Sequence, residues 1–243
     1  MKAILATLLL TLPILAFAVD LDGYYITPKV GVSKTFNTGK MGSVNSAGTS
    51  VVYKNEDLGT GSAFGFSVGK YLTDNFRLEL EATKRTGYEF DTRTTNAVVG
   101  GLGYSDKADI ETHALFINGF YDFQPFFITN TAITPYLGGG VGLSRNKMAK
   151  NVSLTNGLTN GFTIDGNTIN QFAYKFSAGT LVSLTEQLSL DVNYQYVNLG
   201  AFKGGTTLYL HGVRRAVWDL KRGINGGEIE SQEIMFGLQY KFN

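Results

Sequence analysis

Between Phe76 and Thr83 the chain sets Phe76, Leu78, Leu80 and Ala82 on one face of an extended segment and Arg77, Glu79, Glu81 and Thr83 on the other. Successive strand side chains point to opposite faces, so alternation of this kind specifies a sheet with one apolar and one polar surface. The pattern recurs. In Tyr24 to Phe36, the residues Tyr24, Ile26, Pro28, Val30 and Val32 share a face, with Pro28 removing one ladder donor. Phe64, Phe66 and Val68 alternate with Gly65, Ser67 and Gly69, and Thr73-Asp74-Asn75 supplies a tight turn into the Phe76 segment. A fourth strand is predicted from Glu111 to Phe123, with Leu115, Ile117 and Tyr121 outward. A fifth runs from Thr134 to Ser144, with Leu137, Val141 and Leu143 outward and Gly138, Gly140 and Gly142 inward. The sixth, Phe172 to Val182, turns near Thr185-Glu186-Gln187 into the seventh, Leu188 to Tyr196, and the eighth is Glu233 to Phe242.

What the apolar face lies against is decided by the rest of the chain. Met1-Lys2, the apolar run Ala3 to Phe17 and the small-x-small triplet Ala16-Phe17-Ala18 read as an export signal over residues 1–18, leaving Val19 to Asn243 as the mature part. Hydrophobic residues make up 43% and charged ones 17%, while the mean hydropathy is −0.01, as expected when only every second residue meets lipid. No later stretch is long and apolar enough to cross a membrane as a helix, so a membrane-spanning reading requires a closed barrel. There is no cysteine, so an exported fold cannot rely on disulfides. Short connections near 73–75, 124–133 and 185–187 alternate with long polar stretches near 37–60, 86–109, 145–168 and 200–228. Four structureless loops of that length are foreign to a compact soluble β-sandwich, the competing class, and usual on one side of a transmembrane barrel. The fold class is therefore all-β, an antiparallel up-and-down transmembrane barrel of about eight strands with four long outer loops.

The segments GYYITPKVGVSKTF (from Gly23), FGFSVGKYLTDNFRLELE (from Phe64), LFINGFYDF (from Leu115), TPYLGGGVGL (from Thr134) and LSLDVNYQYVNLG (from Leu188), with the aromatic last strand, resemble the small eight-stranded outer-membrane barrels of the OmpX and Opa opacity-protein type and the OmpA transmembrane domain. That resemblance implies a bacterial outer-membrane location with surface-exposed loops, and a surface-antigen or adhesin role. The family usually ends on an aromatic residue, whereas here Asn243 follows Phe242.

An eight-stranded barrel has room inside only for side chains. Strand parity turns Lys29, Arg77, Arg85, Lys175 and Lys241 inward, with Glu79, Glu81, Asp122, Asp191 and Glu233, and the equal numbers point to a paired plug; an ion-selective pore is the alternative. No enzymatic constellation is visible. His113 lies on a strand face assigned to lipid and His211 in the last long loop, neither beside a residue that specifies nucleophilic chemistry. Two histidines without cysteine offer no metal site, and no cofactor is expected. The mature chain balances 20 basic against 20 acidic residues once Lys2 is removed, which gives no case for nucleic acid. Recognition then falls to the loops. Asn156-Gly157 and Asn160-Gly161 read as tight turns of a hairpin extending past the membrane. In the fourth loop Arg214, Arg215, Trp218, Lys221 and Arg222 form a basic, aromatic candidate for an acidic ligand. Expected partners are outer-membrane lipid, lipopolysaccharide and a host-surface glycan or protein, with the barrel a monomer and a narrow porin or structural envelope role the alternative.

Overall fold

The computed structural model describes residues 21–36, 42–44, 50–52, 57–93, 104–155, 158–216 and 224–242, so the segment read as an export signal lies outside the described residues. Eight antiparallel strands form the wall: β1 (Tyr24–Thr35), β2 (Thr60–Tyr71), β3 (Phe76–Arg93), β4 (Tyr104–Asp122), β5 (Thr131–Met148), β6 (Asn167–Ser183), β7 (Leu188–Lys203) and β8 (Ile224–Lys241). Each pairs with its sequence neighbours, and β8 pairs back onto β1, with Tyr25 opposite Lys241 and Ser33 opposite Glu233. No wall strand is left with an open edge, the condition for spanning lipid with strands.

The register fixes the dimensions. Paired positions lead from Pro135 on β5 through Thr180, Val192, Phe236, Val30, Phe64, Lys84 and His113 back to β5 at Arg145, ten residues further along (from 135 to 145). Eight strands staggered by ten residues, with a rise of ~3.4 Å and a spacing of ~4.8 Å, tilt about 40° and enclose a radius of about 8 Å. That interior holds side chains and little else.

Outward positions such as Val32, Phe66, Leu80, Ile117, Val141, Phe176 and Phe236 are exposed and apolar, while the alternating inward ones are buried. This is the lipid-facing belt. The turns at 72–75 and 184–187 close the periplasmic end. In the remaining connection, Phe126–Ile128 pairs with the start of β5, so the stretch 124–133 is a short projecting hairpin rather than a simple turn.

At the opposite end the strands outrun the sequence expectation. β3 continues ten residues past Thr83, to Arg93, and β4 starts at Tyr104 rather than Glu111. The stretches 86–109, 145–168 and 200–228 are therefore partly strand, built on the wall. The reason is a change of phase. The β3–β4 register shifts between Arg85 and Tyr88, where Gly87 adopts a φ of 87° open to glycine at little cost. Inward positions on β3 are odd-numbered up to Arg85 and even-numbered from Tyr88. On β7 a second shift, between Asn198 and Ala201, surrounds Gly200 at a φ of 69°. Above these bulges the faces exchange chemistry: the interior becomes apolar and the outside charged, as in a soluble sheet.

Candidate functional site

The lumen is occupied in tiers. Nearest the periplasm, Arg77 donates from Nε to Asp122 at 3.0 Å, its guanidinium 4.4 Å from the Phe120 ring centre and 4.5 Å from that of Tyr136. Tyr136 in turn donates to Asp191 at 2.6 Å. In the next tier Lys29 bridges Glu79 and Glu81, both at 2.9 Å, and Lys175 reaches Glu81 at 2.7 Å. Asn118 donates to Glu79 and to Glu81. Higher still, Arg85 makes a two-armed contact with Glu233 at 2.5 and 3.0 Å, and Ser33, Ser231 and Gln195 complete that carboxylate's shell. Of the ten lumen charges named from parity, Lys29, Arg77, Arg85, Glu79, Glu81, Asp122, Lys175, Asp191 and Glu233 are buried. Lys241 stands apart: it is half-buried at the periplasmic mouth, 5.1 Å from the centre of the Tyr71 ring, because its strand ends there.

Above the Arg85–Glu233 tier comes an apolar cluster drawn from the strand extensions. It includes Tyr88, Phe90, Ile110, Met148, Leu199, Phe202, Ile224 and Ile229, all fully or almost fully buried. Phe90 and Phe202 meet edge-to-face at 6.1 Å. Among the described residues, paired charges followed by an apolar tier fill the lumen. Planar-bilayer recordings of the refolded chain are expected to show no discrete conductance steps; regular steps would contradict this occlusion.

The extracellular storey carries its polar groups outside. Lys107 on β4 bonds Asp91 on β3 at 2.6 Å, and that hydrogen bond raises the ammonium's pKa. Asn151–Thr155 and Leu158–Ile164 form a hairpin through residues 156–157, which lie outside the described residues; Gly161 sits in its bulge rather than a turn. The fourth loop docks on this hairpin. Leu208–Leu210 pairs with Phe162–Ile164, and His211-Gly212, at φ of 49° and 81°, form a tight turn returning to Val213–Arg214. Asp165 holds the junction, accepting from the Thr207 N–H at 2.9 Å through Oδ1 and from the Gly205 N–H at 3.0 Å through its carbonyl. Sequence reading missed Asp165, since nothing local marks its role. Of the basic candidates, Arg214 and Arg215 are exposed on this docked hairpin, beside Tyr209, whose ring lies 5.8 Å from Lys150. Trp218, Lys221 and Arg222 lie outside the described residues. His113 bonds Glu111 at 3.1 Å on the outer surface of the wall.

The sequence from residue 3 to residue 242 matches the family model of the outer membrane protein β-barrel domain. The chain belongs to that family. Among curated relatives, outer membrane protein PagN of Salmonella typhimurium (strain LT2) is 26% identical over 91% of this chain and 90% of its own length. A Rickettsia bellii (strain OSU 85-389) protein whose name marks it as a candidate adhesin is 26% identical over 80% of this chain and 84% of its own. Among solved structures, the outer membrane protein OprG of Pseudomonas aeruginosa superposes with a TM-score of 0.51 at 15% identity, covering 91% of this chain and 97% of OprG. The likeness to OprG is one of fold. With the family established, this outer membrane barrel is an integral protein whose long connections face the cell surface.

Proposed function

We propose that this barrel is a surface adhesin that works through its extracellular storey and is not a conduit. The observation that carries the reading is the coexistence of an occluded lumen with wall strands built well beyond the lipid belt. Material is invested where it can meet a partner outside the cell, on strands that hold a recognition surface in place more firmly than free loops do. Relatives similar over most of the chain include one named as a candidate adhesin. Within the storey, the hairpin carrying Arg214 and Arg215, with Tyr209 and Lys150 beside it, presents positive charge with an aromatic ring. Such a surface suits an acidic glycan or acidic protein on a host cell. Trp218, Lys221 and Arg222 continue the same loop in sequence.

The test is adherence of a normally non-adherent laboratory bacterium displaying the chain, with display confirmed by protease shaving. Adherence to cultured host cells is expected to rise on display and to fall several-fold when Arg214, Arg215, Lys221 and Arg222 are all changed to glutamine. Unchanged adherence of the fourfold variant removes this loop from the reading. No gain from the displayed parent chain removes the adhesin reading itself.

A further inference from the structure

At the periplasmic mouth the barrel opens into a cavity of about 820 Å³, walled by the turns at 72–75 and 184–187 and by residues 123–125. A space of that size suits a ligand of many atoms rather than a single ion. Strand register builds its floor. Ser183 on β6 lies opposite Ser189 on β7, and Ser189 lies opposite Gln239 on β8, so three inward polar side chains stand side by side on adjacent strands. All three line the cavity, and Gln239 is the most buried of them, 3% exposed. Its amide nitrogen donates to the Tyr71 hydroxyl at 3.1 Å, while its amide oxygen has no hydrogen-bond partner among the described residues. A buried acceptor left open is costly, and one on the floor of a cavity marks where a donor belongs.

The charges around the mouth select the kind of donor. Asp74 and Glu186 occupy turns four strands apart in a wall of eight, and so face each other across the opening. Both are exposed, and neither makes an ion pair among the described residues. Asp22 stands at the same rim. The carboxylate of Asp122, deeper in, is taken up by Arg77 at 3.0 Å. Of the two lysines in the lining, Lys70 lies 4.4 Å from the centre of the Tyr24 ring and Lys241 5.1 Å from that of Tyr71. Three rim carboxylates against two ring-bound lysines leave the opening with an excess of negative charge, which repels an anion and draws a cation. An alkyl-ammonium carries three donors and no acceptor, matching a floor of one amide oxygen and two serine hydroxyls. A guanidinium is served best by the paired oxygens of a carboxylate, which this floor does not offer.

We infer that the periplasmic mouth binds the side-chain ammonium of a lysine-type residue carried on a periplasmic peptide. Gln239, Ser183 and Ser189 take the ammonium, and Asp74 and Glu186 draw it in. The volume argues for a peptide over a free diamine, since an alkyl-ammonium chain alone fills a small part of it. The site lies at the opposite end of the barrel from the hairpin proposed for adhesion and does not depend on that reading.

The experiment uses the full mature chain refolded in detergent micelles and followed by nuclear magnetic resonance, with the Gln239 side-chain amide assigned as the signal missing from Gln239→Met. The probe is a capped Ala-Lys-Ala tripeptide, compared with the capped Ala-Gln-Ala and Ala-Arg-Ala tripeptides and with free cadaverine. The lysine peptide is expected to shift the Gln239 signal saturably and to bind about tenfold more tightly than the glutamine peptide. Gln239→Met, read from the backbone signals of Ser183 and Ser189, is expected to lose about tenfold. Asp74→Asn/Glu186→Gln, at exposed turn positions, loses about threefold and keeps the test open if the Gln239 variant does not refold. Heat-modifiable gel mobility reports folding in each case. Equal binding of the lysine and glutamine peptides, or unchanged binding by folded variants, overturns the site. An arginine peptide that binds as tightly overturns its assignment to an ammonium, and cadaverine binding as tightly as the lysine peptide overturns the peptide as the source. Shifts confined to residues above the Arg85–Glu233 tier also overturn it, by moving the contact to the extracellular end.

Discussion

Replacing Glu81 by glutamine lowers the unfolding free energy of the barrel by about 3–5 kcal/mol, the usual cost of leaving buried charge without its partner. Glu81 takes Lys29 on one oxygen and Lys175 on the other, and all three side chains are 6% exposed or less. The amide leaves Lys175 without a carboxylate in ion-pair range, while Lys29 keeps Glu79. The expected damage therefore centres on Lys175. Restoring balance with Glu81→Gln/Lys175→Met recovers most of the loss, because matched removal of both charges is often nearly neutral. Urea unfolding in lipid vesicles, followed by loss of the heat-modifiable gel band, measures both variants. A change below about 1 kcal/mol in the single variant would mean that water reaches Lys175 and that the lumen is wetter than its contacts imply.

Phe202→Ala acts on the other tier. Its ring is fully buried between Phe90 and the backbone at Gly226, where an added Cβ would have no room. Phenylalanine-to-alanine changes in such a setting cost about 3–5 kcal/mol. The loss is expected to be confined to the extracellular storey, because the belt below is closed by its own ladder and polar tiers. Intact cells displaying the variant should be cut by trypsin within 200–228 at concentrations that spare the parent. The membrane-embedded fragment should persist, and urea unfolding of the belt should change little. If trypsin sensitivity is the same in both, the storey contributes no rigidity and the adhesin reading loses its scaffold.

These two residues also mark what was legible in the sequence and what was not. The facing of Glu81 followed from alternation with Leu80 and Ala82, because lipid outside and a narrow interior impose the same period on every strand. Its partners did not follow. Lys175 lies 94 positions away, and only the strand register brings the two together. Phe202 lay in a stretch read as loop. The cause is physical: the bulges at Gly87 and Gly200 shift the phase by one residue just where the surroundings change from lipid to water. Alternation breaks and composition turns polar together, which imitates a loop.

The seam between β1 and β8 sets how such a chain enters a membrane. Until the final strand meets the first, both carry rows of unsatisfied N–H and C=O groups, each costing several kcal/mol in hydrocarbon. A partly inserted sheet is therefore not a resting state, and strands cannot be committed to lipid one at a time. The Glu233 carboxylate that takes up Arg85 and Ser33 arrives on that last strand, 148 and 200 residues after them. Sealing the wall and neutralising the buried guanidinium are thus one event. A chain cut short before Glu233 keeps both an open edge and an uncompensated buried charge.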